Sequence, residues 1–363
     1  MTTIATRLAL AMMLALPALP TAAQTRPRIG IVAPQAGNYE VLGRQILAGA
    51  KLAADDKAEL VMIEETCADG SGIAIAEALV SAGVKAAAGF LCTVSLEGGL
   101  ARLAQAGIPA ITLSVRSPIL MEDARKKAWP LFRLAPSANA ERDKLVETVG
   151  ERWKDKAFAI LDDGTINNHE LADAIRVRLE EMGMKAAMVD SFRPAQDVQA
   201  GMIRRLAKAS VTHVLAIGER GDIAILARDA KAQKRDMVFL GGEQLEAVDT
   251  TVALEAGVLA VTLGRPSGNE IARSVETALA KEDGLADGYV LPAHAAVSLA
   301  LEAIEIAGAT DSPVEAALVD TQFATAIGPV RFGPDHELAT NPFALMRWTG
   351  TAFEPVAPLS ESN

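Results

Sequence analysis

One pattern limits this chain more than any other: short apolar runs alternate with amphipathic runs of helical period, and the series occurs twice. Residues 27–33, 60–64 and 84–89 read as strands. Residues 42–57 and 72–83 lie between them and read as helices, with Ile46, Ala50 and Ala53 on one stripe and Gly83 ending the second. Strand, helix, strand in that order requires a crossover connection. The strands therefore run parallel and need helices on both faces, an α/β architecture.

The stretch from Gly89 to Pro118 is the most informative part of the first series. A strand at 84–89 leads into Gly89-Phe-Leu-Cys-Thr-Val-Ser95 and a helix; Ile108-Pro-Ala-Ile-Thr112 is the next strand, and Leu113-Ser-Val-Arg-Ser-Pro118 leaves it. Ser95 is expected to cap the helix, leaving the amides of residues 92–94 pointing outward. Hydroxyls and free N–H groups thus gather beyond the carboxyl ends of two neighbouring strands, where open α/β sheets bind ligands. The alternative is a pair of ordinary surface loops.

A second series of similar size begins after 131–136, with helices at 139–153, 168–182, 196–207 and 223–233, and strands at 157–161, 186–191, 211–217, 237–240 and 258–263. Two helices follow Pro266, at 270–281 and 293–308; the latter is apolar enough to need a sheet to cover. The tail, 327–334, 344–348 and 350–354, reads as strands and turns.

The first residues belong to a different category. Arg7 precedes an apolar run from Leu8 to Leu19, and Thr21-Ala-Ala23 supplies small residues for cleavage. Residues 1–23 read as a secretory signal peptide cleaved after Ala23, too short to span a bilayer. The exported remainder is long enough for two domains. Its charge, -11 before removal of Arg7, and its 4% aromatic content give no footprint for nucleic acid. In an oxidising compartment Cys67 and Cys92 are expected to form one disulfide. His169, His213, His294 and His336 show no metal-ligand spacing, and neither metal nor cofactor is expected. Nucleophile-elbow, Walker and zinc-protease motifs are missing from the sequence, and the adjacent Asp162 and Asp163 read as turn residues, so an enzyme is not expected.

Local phrases in this order resemble a known family: Ile29-Gly-Ile31, Gly49-Ala-Lys-Leu-Ala53, Gly89 to Thr93, Gly107-Ile-Pro-Ala-Ile111, Phe132-Arg-Leu-Ala-Pro-Ser137, Leu240-Gly-Gly-Glu243 and Gly328-Pro-Val-Arg-Phe332. The chain resembles type I periplasmic substrate-binding proteins of ABC transporters, in the branched-chain amino acid (leucine/isoleucine/valine-binding) class. The resemblance implies two Rossmann-like lobes with parallel sheets, joined by three crossovers and closing on a ligand. Lobe 1 is then 26–134 plus 265–325, and lobe 2 is 135–264 plus 326–354. The crossovers fall near Leu134, near Gly264, and between Ala324 and Gly328. It further implies a periplasmic monomer that captures an amino acid or similar small polar solute and delivers it to ABC permease membrane subunits. A ligand-sensing module without transport is the alternative.

Carried over by motif, Thr93 takes the position of a hydroxyl donor to the ligand carboxylate, Ser114 a backbone contact, and Glu243 the acid that accepts the ligand ammonium. Departures are equally informative. Asn167 and Glu219 stand near positions that usually carry aromatic residues, and Arg116 replaces a short hydroxyl residue. Arg116, Glu219 and Arg220 make the expected pocket more polar than one for leucine. Arg116 either meets the ligand or pairs with a protein carboxylate such as Glu243 or Glu219.

Overall fold

The computed structural model describes residues 26–248, 251–264 and 269–357; the expected signal peptide lies outside them. The first series folds as β1 (Arg28–Ala33), α1 (Glu40–Ala54), β2 (Glu59–Glu64), α2 (Ser71–Ser81), β3 (Ala86–Gly89), α3 (Thr93–Ala106), β4 (Ala110–Thr112), α4 (Pro118–Lys126) and β5 (Leu131–Arg133). These strands form one sheet in the order β2-β1-β3-β4-β5, with every pairing parallel. Alternation along β1 shows how the sheet is covered. Ile29 and Ile31 pack with Ile46 and Ala50 of α1, while Val32, pointing the other way, packs with Leu79 of α2 and Leu96 and Leu100 of α3.

The second series continues with α5 (Ala140–Arg152), β6 (Phe158–Asp162), α6 (Ile166–Glu181), β7 (Met188–Ser191), α7 (Ala200–Lys208), β8 (His213–Ile217), α8 (Arg220–Ala232), β9 (Val238–Gly241) and β10 (Leu259–Thr262). The chain then returns to the first lobe as α9 (Glu270–Ala280), α10 (Val290–Thr310), α11 (Val314–Leu318), β11 (Phe323–Thr325) and β12 (Gly328–Val330). It ends in the second lobe with β13 (Ala344–Trp348) and β14 (Phe353–Pro355).

The apolar helix anticipated at 293–308 is the core of α10. Ala295, Ala296, Val297, Leu299, Ala300 and Ala303 are fully or almost fully buried in the first-lobe core. Burial against the sheet accounts for its apolarity. Its close approach to α1 depends on Gly49, because a Cβ there would lie 2.0 Å from the Val290 carbonyl oxygen.

Two expectations change. The second sheet, β14-β13-β10-β9-β8-β6-β7, is mixed rather than parallel: β13 returns antiparallel to β10, and β14 pairs antiparallel with β13. A tail that re-enters beside the last parallel strand can pair this way and covers that strand's edge. The stretch between Ala324 and Gly328, expected to cross between lobes, is instead the turn of the antiparallel hairpin β11–β12. Phe323, Val330 and Phe332 pack in the first-lobe core, whereas Phe343 packs in the second, so the chain passes across after the hairpin. Buried Arg133 ties this passage to the first crossover, through a side-chain ion pair with Glu337 and a backbone bond to the His336 carbonyl at 3.1 Å. Asn341 adds a bond to the Ala140 carbonyl at 2.8 Å.

Candidate functional site: an interlobe ion pair and cavity

The loops after β2, β3 and β4 form the first-lobe rim. Cys67 and Cys92 are disulfide-bonded, with Cα atoms 5.5 Å apart, and tie the first two loops together. Beside them Glu65, 1% exposed, accepts the Leu91 N–H at 2.8 Å, the Cys92 N–H at 3.1 Å and the Ser95 hydroxyl. Burial raises the Glu65 carboxyl above its ordinary range, against the lowering effect of these three donors. Ser95 is therefore not the helix cap: α3 begins at Thr93 with Cys92 preceding it, and Ser95 is buried inside the first turn. The Cys92 amide, expected to point outward, is consumed by Glu65. Thr93 is exposed at the start of α3, where first-turn N–H groups lack intrahelical acceptors.

The β4 loop is held from both ends. Thr112 donates to the Phe90 carbonyl at 2.9 Å and accepts the Val115 N–H at 3.1 Å and the Ser114 N–H at 3.4 Å. Ser117 caps α4 by accepting the Leu120 N–H, with Pro118 in the first turn. Arg116 stands between these anchors and points across to the second lobe.

There it meets Glu243. Arg116 Nη1 donates to Glu243 Oε1 at 2.8 Å and Nη2 to Oε2 at 3.2 Å, a two-point contact between side chains that are 36% and 32% exposed. Of the alternatives left open by the sequence, pairing with Glu243 is the one adopted. Glu243 opens a 3-10 turn, Glu243–Glu246, after Gly241 and Gly242. Both glycines answer to close approaches: a Cβ at Gly241 would lie 2.6 Å from Leu245 Cδ1, and one at Gly242 only 2.0 Å from Glu141 Oε1. Glu141 accepts the Glu243 backbone N–H at 2.7 Å. Its carboxyl is pushed up to about 7, chiefly by burial and then by the Glu243 charge, with the Glu243 N–H and Arg116 opposing. Two carboxyl groups and one guanidinium thus share this junction.

The remaining expected residues spread around it. Asn167 is exposed on α6, and its neighbour Asn168 is the one turned inward. Asn168 donates to Asp163 at 2.8 Å and receives a bond from Gln244, next to Glu243, at 3.2 Å. Asp163 also accepts the Thr165 N–H and hydroxyl, and Asp162 the Gly164 N–H, so this acid pair caps its own turn. Glu219 is exposed and precedes α8.

A cavity of about 1440 Å3 opens between the lobes. Ser114 and Arg116 line it from the first lobe, Arg220 and Trp348 from the second, and Pro136 and Gly264 from the crossovers. Thr93, Asn167, Glu219 and Glu243 are not among its lining residues. The cavity therefore extends from Arg116 toward the crossovers rather than toward the outer rim. Glu65, Glu141 and Trp348 were missed by sequence reasoning; an acid at a strand end, an acid in a first helical turn and an aromatic residue in a tail strand have commoner explanations.

Two parallel-cored α/β lobes, crossed three times by the chain and facing one another over a charged junction and a cavity, define the type I periplasmic binding protein fold. The chain belongs to the periplasmic binding protein family, whose model matches residues 27–352. It is similar to the leucine-, isoleucine-, valine-, threonine-, and alanine-binding protein of Pseudomonas aeruginosa, at 27% identity over 88% of this chain and 89% of that one. Among solved structures, the branched-chain amino acid transporter substrate-binding protein LivJ of Streptococcus pneumoniae, in complex with isoleucine, shares the fold with a TM-score of 0.59. Identity is 16%, over 92% of this chain and 100% of the other. An ABC transporter solute-binding protein of R. palustris in complex with 4-hydroxybenzoate gives a TM-score of 0.61 at 15% identity, over 89% of this chain and 92% of the other.

Proposed function

We propose that this protein captures a zwitterionic amino acid, or a similar small polar solute, between its lobes in the periplasm and delivers it to an ABC permease. The observation that carries this reading is the Arg116–Glu243 pair across the cleft. A zwitterion entering between the two side chains exchanges one ion pair for two: its carboxylate meets Arg116 and its ammonium meets Glu243. Charge balance is conserved, so no charge is left buried and unpaired. Thr93, with its hydroxyl and the amides of the α3 first turn, adds neutral donors for the carboxylate. The name of the P. aeruginosa relative fits an amino acid ligand. Arg116 fills space that a short residue would leave open, which favours a polar ligand side chain over plain leucine.

The lobes open and close about the crossovers to admit and release ligand. Mass spectrometry of small molecules released on denaturing the purified mature protein tests the reading. A compound carrying both amino and carboxyl groups is expected; release of only amine-free compounds contradicts it.

A further inference from the structure

Arg220 is the unusual group in the cavity. It is 7% exposed, yet it makes no ion pair with a carboxylate among the described residues. The other described guanidiniums lining the cavity are paired, Arg116 with Glu243 and Arg331 with Asp320 at 3.4 Å. Among the described residues the carboxylates lining it are Glu246 and Asp287, both on exposed residues and both engaged, Asp287 by the Gly288 N–H. Buried charges are ordinarily paired, so a buried guanidinium facing a cavity with no carboxylate partner among the described residues marks a place for an anion.

The donors of Arg220 are divided in a way that fits one kind of anion. Nη1 is spent on the Leu245 carbonyl. Nε is sealed from solvent and has no partner, and Nη2 has no hydrogen-bond partner among the described residues. Nε and Nη2 form one edge of the guanidinium fork, the edge that accepts both oxygens of a carboxylate. The group lies over two aromatic rings: its central carbon is 4.6 Å from the Trp348 ring centre and 6.0 Å from that of Phe353. Trp348 is itself held by a bond from Nε1 to the Leu254 carbonyl at 3.0 Å. Beyond this polar edge the wall is largely apolar, with Leu134, Leu263, Ile327 and Met346.

We propose that Arg220 is a carboxylate seat, and that the cavity takes an organic acid with an apolar body. An entering carboxylate takes the Nε–Nη2 edge of the fork by displacing the atoms that cover Nε. The apolar body then lies along Trp348 and the aliphatic wall. This inference rests on the interlobe space being a solute site, but it uses residues other than the zwitterion pair.

Calorimetric titration of the mature protein with phenylacetate and hexanoate, each against its neutral amide, tests it. Both acids are expected to bind about tenfold or more tightly than phenylacetamide and hexanamide. Arg220→Gln, whose side-chain amide can still donate to the Leu245 carbonyl, should abolish that preference. Arg331→Gln, at the cavity guanidinium paired with Asp320, should retain it. Arg220→Lys, with the charge but not the fork, should reduce it. Equal affinity for acid and amide, binding of neither, or a preference surviving Arg220→Gln or undiminished in Arg220→Lys overturns the proposal. Because acid and amide are compared within each variant, a general loss of packing does not imitate the result. Amino acids binding while both acids fail rejects this seat and leaves the zwitterion reading standing; acids binding through Arg220 while no amino acid binds does the reverse.

Discussion

Glu141 offers a perturbation whose size and sign follow from the site. Its carboxyl is largely removed from water, faces the Glu243 charge, and ionises near 7 instead of 4.5. A group with a raised acidity constant favours the folded state while it is protonated. Below pH 4.5 both folded and unfolded chains hold the proton, and the group's full contribution is present. Between 4.5 and about 7 the unfolded chain has released its proton while the folded chain has not, so stability falls as pH rises. Above about 7 both forms are ionised and the loss is complete. That difference corresponds to about 3 kcal/mol at about 1.4 kcal/mol per decade. Glu141→Gln removes the ionisation while its amide oxygen can still accept the Glu243 N–H. Denaturant unfolding of wild type and Glu141→Gln should therefore coincide at low pH and diverge by about 2–3 kcal/mol at pH 8, with the variant the more stable. A difference independent of pH, or a variant less stable at pH 8, refutes the burial and charge argument at this junction.

Other predictions follow from single features. Arg116→Ser should relax selectivity, strengthening binding of leucine relative to polar amino acids; unchanged relative affinities in calorimetry would count against a role for Arg116 in the pocket. Thiol titration of the denatured, unreduced mature protein should find no free cysteine. Reduction should lower stability by about 3.5 kcal/mol, from the loop-entropy relation applied to the 25-residue separation of Cys67 and Cys92. Gly49→Ala should destabilise the first lobe by about 2 kcal/mol or more in denaturant unfolding, since its Cβ would lie 2.0 Å from the Val290 oxygen; a silent substitution would mean that α1 and α10 separate at no cost.

The legible parts of this fold were those that depend on periodicity. Ile29, Ile31 and Val32 alternate between two helical layers as their spacing implies, and the apolar face of α10 finds the sheet it needs. What escaped was decided by long-range pairing. The hairpin at 323–330 looked like a crossover because nothing local reveals that Phe323 and Val330 belong to the first-lobe core. Similarly, β13 could be read as a strand but not as an antiparallel neighbour of β10. At the site, Arg116 and Glu243 were visible as charges on two rims, whereas their pairing depends on contacts 127 residues apart in sequence. Ser95 lost its expected cap role to buried Glu65, a partner 30 residues away.

The most direct test of the account is calorimetry of ligand-stripped mature protein with a panel of proteinogenic amino acids, repeated with Glu243→Gln. At least one polar amino acid should bind saturably. The variant should bind it more weakly by about 1.5–3 kcal/mol, the scale for losing a hydrogen bond to a charged group. Binding of no amino acid, or equal affinity in wild type and Glu243→Gln, contradicts capture of a zwitterion between Arg116 and Glu243.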